Sequence, residues 1–592
     1  MRILLLASAF NSLTQRIHCD LREQGHTVGV ELIPGREPPA AAVERFAPDL
    51  LVAPMLTRAV PEDVWRHHPV LIVHPGPPGD RGPSALDWAI TDGAAAWGVT
   101  VLQATAEMDG GPVWASVPFA VRPCDKSELY RTEVADAAAE AVALAVERWA
   151  GGSFVPAAGA TGPLRPYHAQ EFRRIDWAVD GTGDVLRRLR AADSQPGVLD
   201  VLFGREYYLH GGHREDRLRG EPGALLATRD GALCRATADG AVWIPQLRPR
   251  REPGGPATFK LPAAHVLGDA LTGVPEVPVT PAAAACRDTW SELRYRERAD
   301  VGYLEFAFPG GAMSTGQCER LLAAYRAACE RPTAVLVLGP ARDFFSNGIH
   351  LNVIEAAADP GEESWRNINA MDDLVEAVLT TEKPTVSALA GNAAAGGLML
   401  ALAADEVSCR ASAVLNPHYR LMGLYGSEYW TRTLPRRVGE EQARRLTGAA
   451  LPVGAHEAAR LGLVDRVRDD GTAGFRAWVE REAAALAAEP ELTERLLAKK
   501  QRRSAEERER PLAAYRAHEL ARMRETFFDP DAPYHALRRA FVHRTPAAGT
   551  PEHLRGQAPR RPGEPGPAPV GLGDATEVRV RPVTAMVWDA GT

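Results

Sequence analysis

Residues 73–83 read VHPGPPGDRGP and stand between an apolar run at 70–73 and a helical pattern that begins near residue 84. Upstream, short apolar runs alternate with helical patterns, and this alternation predicts a parallel sheet covered by helices. No GxGxxG follows the first apolar run, which disfavours a dinucleotide site. The quoted stretch is therefore predicted to leave the end of a sheet strand, where open α/β sheets place their ligand crevice.

His74 and Asp109 are the candidate catalytic residues of this region. Imidazole exchanges protons readily near neutral pH, and His74 follows the predicted strand directly. Asp109 lies in the Gly-flanked turn MDGG, where an aspartate can fix the histidine tautomer and stabilise an imidazolium. Each residue alone also fits a simple strand cap or turn, so the functional prediction depends on the whole set of motifs.

The motifs HPGPPGDRGP (74–83), WAI (88–90), GVT (98–100) and MDGG (108–111), taken together, resemble the N10-formyltetrahydrofolate-dependent formyltransferases over about residues 1–260. The resemblance implies that a nucleophile attacks the N10-formyl carbon while His74 transfers protons and Asp109 orients it. Members of that family carry an asparagine two residues before the histidine, where this chain has Ile72. Losing such an oxyanion donor costs about 10²–10³ in rate. We therefore expect either a replacement group or an unusually good nucleophile, such as a thiolate.

A second set of motifs occupies the C-terminal half: RDFFSNGIHL (342–351), ALAGNAAAGG (388–397) and AARLGLVD (458–465). They resemble the enoyl-CoA hydratase/isomerase (crotonase) superfamily over about residues 290–490. The resemblance implies an oxyanion hole made by the backbone amides of Ile349 and Gly396, presented by Gly-rich turns that cradle a thioester oxygen.

The two glutamates that hydratases use are replaced here by Met399 and Tyr419, so hydration of a double bond is not expected. Glu428 is the candidate base, with Tyr419 or Tyr425 as its hydrogen-bonding partner, because a carboxylate among aromatic rings tends to have a raised pKa. A surface glutamate beside interface aromatics is the alternative interpretation of Glu428.

A formyltransferase fused to a crotonase resembles the HypX/HoxX family of hydrogenase maturation factors over about residues 1–545, with FNSLTQR (10–16) and YGSEYW (425–430) as further matching segments. This resemblance implies production of carbon monoxide for the Fe(CO)(CN)₂ unit of nickel–iron hydrogenase. The formyl group would pass from N10-formyltetrahydrofolate to coenzyme A, and formyl-CoA would then lose CO with help from Glu428 or Tyr419. The candidate residues for binding folate or the CoA phosphates are Gln15, Arg16, Arg81 and Arg131.

Two other functions stay open at this point. One is a formyltransferase that acts on an amine of a specialised metabolite, with the crotonase half as a CoA-binding or dimerising module. The other is a non-catalytic scaffold. The replacements at Met399 and Tyr419 keep the first alternative open, whereas the intact His74 and Asp109 pair argues against the second.

A length of 592 residues suggests about three or four domains. The predicted architecture is multi-domain α/β, and its five regions are a Rossmann-like formyltransferase domain (1–160), a small OB-like β domain (165–270), a crotonase-fold domain (288–490), a helical region (491–545) and a partly disordered Pro/Gly-rich tail (546–592).

The net charge of −8 gives no reason to expect nucleic acid or a membrane as a partner. The apolar run at 393–404 is too short to span a bilayer. Seven cysteines without a CxxC indicate neither a disulfide framework nor a cysteine-based zinc site. We expect a cytoplasmic, metal-free enzyme with small-molecule substrates, whose CO is received by the hydrogenase maturation machinery.

Overall fold

Three sections of chain, each with its own sheets and core, follow one another in the computed structural model, which describes residues 1–33, 38–159, 162–340, 343–545 and 549–556. Most of the predicted tail at 546–592 lies outside these residues. Among the helices described, none has the length and apolar character needed to cross a membrane.

The N-terminal domain is built on one six-stranded sheet with the order β2-β1-β3-β4-β5-β6. The strands β1 to β6 are Arg2–Ala7, Thr27–Leu32, Leu50–Met55, Val70–His74, Ala96–Gln103 and Val113–Ala120. The helices α1 to α6 are Ser12–Glu23, Pro39–Phe46, Glu62–Trp65, Ala85–Thr91, Lys126–Leu129 and Ala135–Gly151. The predicted parallel pairing holds for β1 to β4. β5 and β6, which that prediction did not include, are antiparallel: β5 pairs with β4, and β6 pairs with β5 across the helix-free turn at 104–112.

Both faces of this sheet are covered, which explains why β1 is apolar at nearly every position. Ile3 and Leu5 face the core that includes α1 and α6. Leu4 and Leu6 face the opposite core, which includes α2 and α3. The ends of β4 and β5 therefore project their loops beyond a rigid support.

The second domain consists of two four-stranded sheets, with orders β10-β11-β12-β9 and β14-β13-β8-β7. The strands β7 to β14 are Val198–Leu202, Arg205–His210, His213–Glu215, Leu225–Arg229, Ala232–Ala236, Ala241–Ile244, Gln246–Pro249 and Leu261–Pro262. The helices α7 to α10 are Gln170–Arg173, Thr182–Ala192, Ala263–Leu267 and Pro281–Ala285. Helix α8 packs Val185 and Leu189 into the core of this domain.

The C-terminal section carries a six-stranded sheet, β15-β16-β17-β19-β21-β24, and a four-stranded sheet, β18-β20-β22-β23. The strands β15 to β24 are Leu293–Arg298, Val301–Phe306, Val335–Pro340, Phe344–Ser346, Thr385–Leu389, Asn392–Ala394, Glu406–Arg410, Val414–Asn416, Val453–Gly454 and Arg466–Arg468. The helices α11 to α21 are Thr315–Glu330, Leu351–Ala356, Pro360–Thr380, Ala395–Leu402, Trp430–Val438, Glu440–Ala449, Ala455–Leu461, Thr472–Ala487, Leu492–Glu509, Leu512–Phe528 and Pro533–Val542.

The last helices fold back over the C-terminal core. Met523 and Phe527 of α20 and Tyr534 of α21 form a buried cluster with Ile368 of α13. The end of the helical region predicted at 491–545 is thus packed against α12, α13 and the turn at 422–424.

Polar contacts join the N-terminal domain to the C-terminal section. Asn416 Nδ2 donates to Gln15 Oε1 at 3.1 Å, and the buried guanidinium of Arg131 pairs with Asp343. The segment 549–556 also returns to the first sheet, where Thr550 Oγ1 accepts from the backbone N–H of Leu32 at 2.8 Å. These contacts hold the two halves together around a shared cavity.

Candidate active sites

His74 lies between two carboxylates at the end of β4. Its Nε2 is 2.8 Å from Asp80 Oδ2, and its Nδ1 is 3.6 Å from Asp109 Oδ2. The side chains of His74 and Asp80 are each 5% exposed, so their interaction is shielded from solvent. The structure therefore brings together the two residues predicted from the motif, and it adds a third, Asp80.

The loop after β4 folds back on itself to reach this arrangement. Gly79 and Gly82 take φ values of 96° and 119°, a region that glycine adopts without the strain other residues incur. Two side chains of β5 fix the start of the loop: Trp97 Nε1 donates to Pro75 O at 2.9 Å, and Thr100 Oγ1 donates to Gly76 O at 2.8 Å. Because the loop folds back in this way, Asp80 lies next to His74.

Asp109 and Arg81 connect this loop to the turn between β5 and β6. Asp109 Oδ2 accepts from the Gly82 N–H at 3.0 Å. Arg81 Nε donates to Met108 O at 3.0 Å, and Arg81 Nη1 forms an ion pair with Glu107 at 2.9 Å. Arg81, predicted as a ligand-binding residue, thus holds the two loops of the site together in this structure.

The second site is built at the start of α14. Gly396 is the second residue of this helix, so its N–H has no acceptor within the helix. The adjacent turn at Gly348 (φ 82°) is fixed by the Met313 N–H, which donates to Gly348 O at 2.8 Å. A Cβ built on Gly348 would lie 3.4 Å from the Gly396 nitrogen. The two turns predicted to supply the Ile349 and Gly396 amides are therefore neighbours.

Glu428 lies over Gly396, and Tyr419 is its partner. Tyr419 Oη donates to Glu428 Oε2 at 2.8 Å, and the Ser427 N–H donates to the same oxygen at 3.1 Å. A Cβ on Gly396 would overlap the other oxygen, Glu428 Oε1. Glu428 is 1% exposed, so the interpretation of it as a surface glutamate is wrong.

The other aromatic candidate and the replaced glutamate position lie elsewhere. The Tyr425 hydroxyl is 3.1 Å from His518 Nε2, on the exposed side of the turn. Met399 is fully buried in the hydrophobic core of the C-terminal section. A hydratase glutamate position thus holds a core side chain in this protein.

Two more acids surround Glu428, and sequence reasoning missed both. Asp372 of α13 accepts from the Glu428 N–H at 2.8 Å, and Glu519 of α20 accepts from the Tyr429 N–H at 2.8 Å. Burial raises the pKa of Asp372 to about 7 and that of Glu519 to about 8. Burial together with the nearby Asp372 raises the pKa of Glu428 well above its ordinary value.

A cavity of about 460 Å³ opens onto the second site and extends to the interface of all three sections. Its lining includes Gln15, Gln246, Arg248, Ile349, Gly396 and Glu428. Of the predicted binding residues, Gln15 therefore lies in the cavity. Among the described lining residues His74 is absent, so the two sites occupy different pockets of the structure.

Arg16 and Arg131 are engaged by internal partners. Arg16 Nε forms an ion pair with Asp20 Oδ2 at 2.6 Å along α1. Arg131 pairs with Asp343, and its guanidinium carbon lies 4.5 Å from the centre of the Phe344 ring. The structure shows both arginines in these internal contacts. Their role in binding folate or CoA stays a prediction.

Basic side chains that the sequence did not single out line the same cavity. They are Arg248, Arg251, Lys260 and Arg544. Arginine and lysine side chains are well suited to binding phosphate groups.

Comparison with known proteins agrees with this arrangement. The chain matches the family models for formyl transferase at residues 35–146, for the formyl transferase C-terminal domain at 169–257, and for enoyl-CoA hydratase/isomerase at 299–537. The methionyl-tRNA formyltransferase of Myxococcus xanthus is 27% identical over 220 residues, which cover 36% of this chain and 70% of the relative.

Two similar proteins span nearly the whole chain. The hydrogenase maturation factor HoxX of Bradyrhizobium diazoefficiens is 48% identical over 572 residues, covering 95% of this chain and 99% of the relative. The crystal structure of HypX from Aquifex aeolicus in complex with tetrahydrofolic acid matches with a TM-score of 0.91 at 44% identity, covering 94% of this chain and 98% of that one.

The fold and the two sites define a formyltransferase joined in a single chain to a domain of the enoyl-CoA hydratase/isomerase family. More specifically, the chain belongs to the HypX/HoxX family of hydrogenase maturation factors. The predicted multi-domain α/β fold class and the predicted family are both confirmed.

Proposed function

We propose that this protein makes carbon monoxide in two steps: it transfers a formyl group from N10-formyltetrahydrofolate to coenzyme A, and it then splits formyl-CoA into CO and free CoA. The observation that carries the proposal is the cavity at the junction of the three sections. It contains Glu428 and Gly396 at one place and four basic side chains at others, and its wall includes Gln15 of the formyltransferase domain. That arrangement suits a CoA thioester formed by one half and used by the other.

The first step takes place beside His74. The CoA thiolate attacks the formyl carbon, the carbon–N10 bond breaks, and the released nitrogen takes a proton that His74 delivers. Asp109 and Asp80 flank the imidazole and stabilise the positive charge that forms on it. Tetrahydrofolate in the related HypX crystal structure supports folate as the formyl donor here. A thiolate also suits a site in which Ile72 replaces the oxyanion-binding asparagine.

The second step takes place beside Glu428. The Ile349 and Gly396 amides hold the thioester oxygen, the carbon–sulfur bond breaks toward sulfur, and the formyl proton leaves with help from Glu428 or Tyr419. The sulfur gains one proton and the formyl carbon loses one, so the products are CO and the CoA thiol. Because formyl-CoA has no α-carbon, no enolate forms, and the absence of the hydratase glutamates at Met399 and Tyr419 follows from the chemistry.

The CO produced would go to the hydrogenase maturation machinery, and we propose the cytoplasm as the compartment where this happens. The name of the relative from Bradyrhizobium diazoefficiens places that protein in hydrogenase maturation. The net charge of −8 also gives no electrostatic reason to expect nucleic acid or an anionic membrane as the main partner.

A single-turnover reaction tests both steps at once. The protein is mixed with N10-formyltetrahydrofolate and CoA, and deoxyhaemoglobin reports CO by its spectrum. We expect a CO–haem spectrum that requires CoA and disappears in His74→Ala. If no CO forms, and tetrahydrofolate appears only when an amine acceptor is added, the protein is instead an amine formyltransferase and the CO proposal is overturned.

A further inference from the structure

We propose that Glu428 enters the second step as a neutral acid with its proton on Oε1, and that Asp372 and Glu519 are positioning residues that keep it in that form. The inference deepens the proposed function and rests on it, because it concerns the breakdown of formyl-CoA. Glu428 would then begin the second step as a protonated acid and not as the base that the sequence predicted.

The first argument is the shortage of positive charge around three buried carboxyl groups. Asp372, Glu428 and Glu519 are each at most 1% exposed. Arg516 is the cation beside Asp372, with its Nε 3.8 Å from Asp372 Oδ2. Its other guanidinium nitrogens lie closer to Asp373, at 2.6 Å, and to Glu376, at 3.1 Å. Within the part of the chain that the structure describes, no ion pair joins Glu428 or Glu519 to a cation, so three buried carboxylates here are unfavourable and protons must remain on the group.

The second argument is the distribution of hydrogen bonds, which shows where a proton would stay. Asp372 accepts from the Ser427 hydroxyl at 2.8 and 2.9 Å and from the Glu428 N–H at 2.8 Å. Glu519 accepts from the Tyr429 N–H and, at 2.8 Å, from the Thr431 N–H. Each of these two acids thus receives donors on both oxygens, which favours its carboxylate form.

Glu428 differs because its two oxygens have different surroundings. Oε2 accepts from the Ser427 N–H and lies 2.8 Å from Tyr419 Oη, whose single proton is shared between Oε2 and Ser427 O at 3.1 Å, so Oε2 already has two hydrogen-bonding neighbours. Oε1 lies over Gly396, where the thioester is proposed to bind. A proton on Glu428 is therefore placed on Oε1 and directed at the substrate position.

The backbone keeps the carboxyl there. Glu428 and Tyr429 both take left-handed conformations, with φ values of 62° and 59°. Such conformations are unfavourable for residues other than glycine and persist where the surroundings hold them. Asp372 holds this turn from α13, and Glu519 holds it from α20.

The proposed step is balanced in atoms and charge. As the carbon–sulfur bond breaks, its electron pair goes to sulfur, which takes the proton from Glu428 Oε1 and becomes the CoA thiol. The formyl proton then passes to the newly formed carboxylate, while the electron pair of the carbon–hydrogen bond stays on carbon as the lone pair of CO. Glu428 ends the cycle protonated again, so no other proton donor is consumed.

The test is the pH dependence of CO release from supplied formyl-CoA, which bypasses the first site. The titratable groups near Glu428 are Tyr419, Asp372, Glu519 and the Cys318 thiol, and Arg516 lies behind them, beside Asp372. We expect the rate to fall on the alkaline side, where Glu428 loses its proton. Asp372→Asn removes a neighbouring negative charge and therefore favours ionised Glu428, so the alkaline limb should move to lower pH by about one unit.

Two further variants separate this effect from a general disturbance. Asp373→Asn is the matched control, because Asp373 pairs with the same Arg516 from the next position of α13 but is 47% exposed. The alkaline limb of the pH–rate profile of this variant should lie at the same pH as that of the unmodified protein. Glu519→Gln keeps a hydrogen-bonding oxygen and removes the charge, and it should move the limb in the same direction as Asp372→Asn. If the alkaline limb of the pH–rate profile stays at the same pH in both Asp372→Asn and Glu519→Gln, these two residues do not keep Glu428 protonated and their proposed role is overturned.

An infrared difference spectrum between the unmodified protein and Glu428→Gln, at neutral pH without substrate, reads the protonation directly. A protonated carboxylic acid band that Glu428→Gln abolishes supports the inference, and its absence from the unmodified protein overturns it. If the unmodified protein releases no CO from formyl-CoA, the proposed function fails, and the infrared band alone then decides the state of Glu428. The two failures are therefore distinguishable.

Discussion

The two proposed reaction sites surround their central side chains with the same kind of neighbour and obtain opposite effects. Carboxylates beside His74 stabilise a positive charge that forms on its imidazole. Carboxyl groups beside Glu428 oppose a negative charge on it, and burial adds to that opposition. Neighbouring carboxylates stabilise a cation and destabilise an anion, so the sign of the charge that the central residue can carry decides the effect.

The sites also differ in how they are assembled. His74 ends strand β4, and Asp80 and Asp109 belong to two adjacent loops of the same domain. Glu428 depends on Asp372 of α13 and Glu519 of α20, which are distant from it in the chain. The first site should therefore respond to changes in its own loops, and the second also to changes in the C-terminal helices.

The largest expected effect is a change that strongly slows the first step and leaves the second step unchanged. His74→Ala removes the proton-transferring group of the first step, so formyl transfer to CoA should fall by about 10²–10⁴-fold. Breakdown of supplied formyl-CoA should continue unchanged, because His74 lies outside the cavity that holds Glu428. Tetrahydrofolate formation and CO release, measured separately, check the two steps.

The control for this change is His67→Ala, since His67 is an exposed histidine of the same domain whose ring Nδ1 lies 2.9 Å from the carbonyl oxygen of the nearby Asp63. Both steps should survive it. If His74→Ala also slowed the breakdown of supplied formyl-CoA, the sites would not be independent and the comparison between them would lose its basis.

A smaller effect is expected from Gly396→Ala, which acts on the second site alone. The added methyl group would overlap Glu428 Oε1, so the carboxyl group would have to leave its present position over the proposed thioester site. We expect CO release from formyl-CoA to fall by about 10²-fold, as when an oxyanion site is disturbed. Formyl transfer from folate should be retained.

Gly448→Ala is the matched control, because a Cβ at this helical glycine meets nothing within 4 Å. It should leave both steps and thermal stability close to those of the unmodified protein. Equal losses in Gly396→Ala and Gly448→Ala would mean that Gly396 is no closer to the chemistry than an ordinary surface glycine.

The sequence predicted the first site better than the second for a physical reason. His74 ends one strand and Asp109 follows the neighbouring strand of the same sheet, so the set of family motifs together with the strand pattern predicted that they meet. Asp80 was overlooked although it belongs to the same motif. A Pro/Gly-rich stretch does not reveal whether its loop returns toward the strand, and here it does so through Gly79 and Gly82.

The acids around Glu428 gave no usable sequence signal. Acidic residues on helices usually face solvent, so Asp372 and Glu519 resemble many other surface residues of the chain. Only the packing of α13 and α20 against the turn at 427–429 buries them. The helical character of 491–545 was predictable from its pattern, but its place over the second site was not.

The predicted roles of Arg16 and Arg131 stay predictions, because the structure shows these side chains with internal partners. Arg16 and Arg131 were chosen because arginine suits phosphate, yet the same guanidinium geometry suits carboxylates. In this structure the two residues pair with Asp20 and Asp343. Sequence alone does not distinguish an arginine that faces a ligand from one that faces an aspartate.

The smallest expected effect concerns the shared cavity. Because CoA takes part in both proposed steps, a change in CoA binding should affect both reaction sites. Arg251 lines the cavity, and its Nε donates to Gly255 O at 2.7 Å, which leaves the rest of the guanidinium to meet a phosphate. Arg251→Ala should raise the KM for CoA in formyl transfer and for formyl-CoA in CO release by about tenfold, with kcat unchanged.

Arg250→Ala is its matched control, because the neighbouring Arg250 does not belong to the described cavity lining and pairs with Glu206 at 2.8 and 2.9 Å. Raising the salt concentration should reduce the difference between the two variants, since the lost interaction is between exposed charges. A rise in KM for only one of the two steps would mean that CoA and formyl-CoA bind at separate places. The two sites would then be linked by transfer of the thioester through solvent and not by the cavity between them.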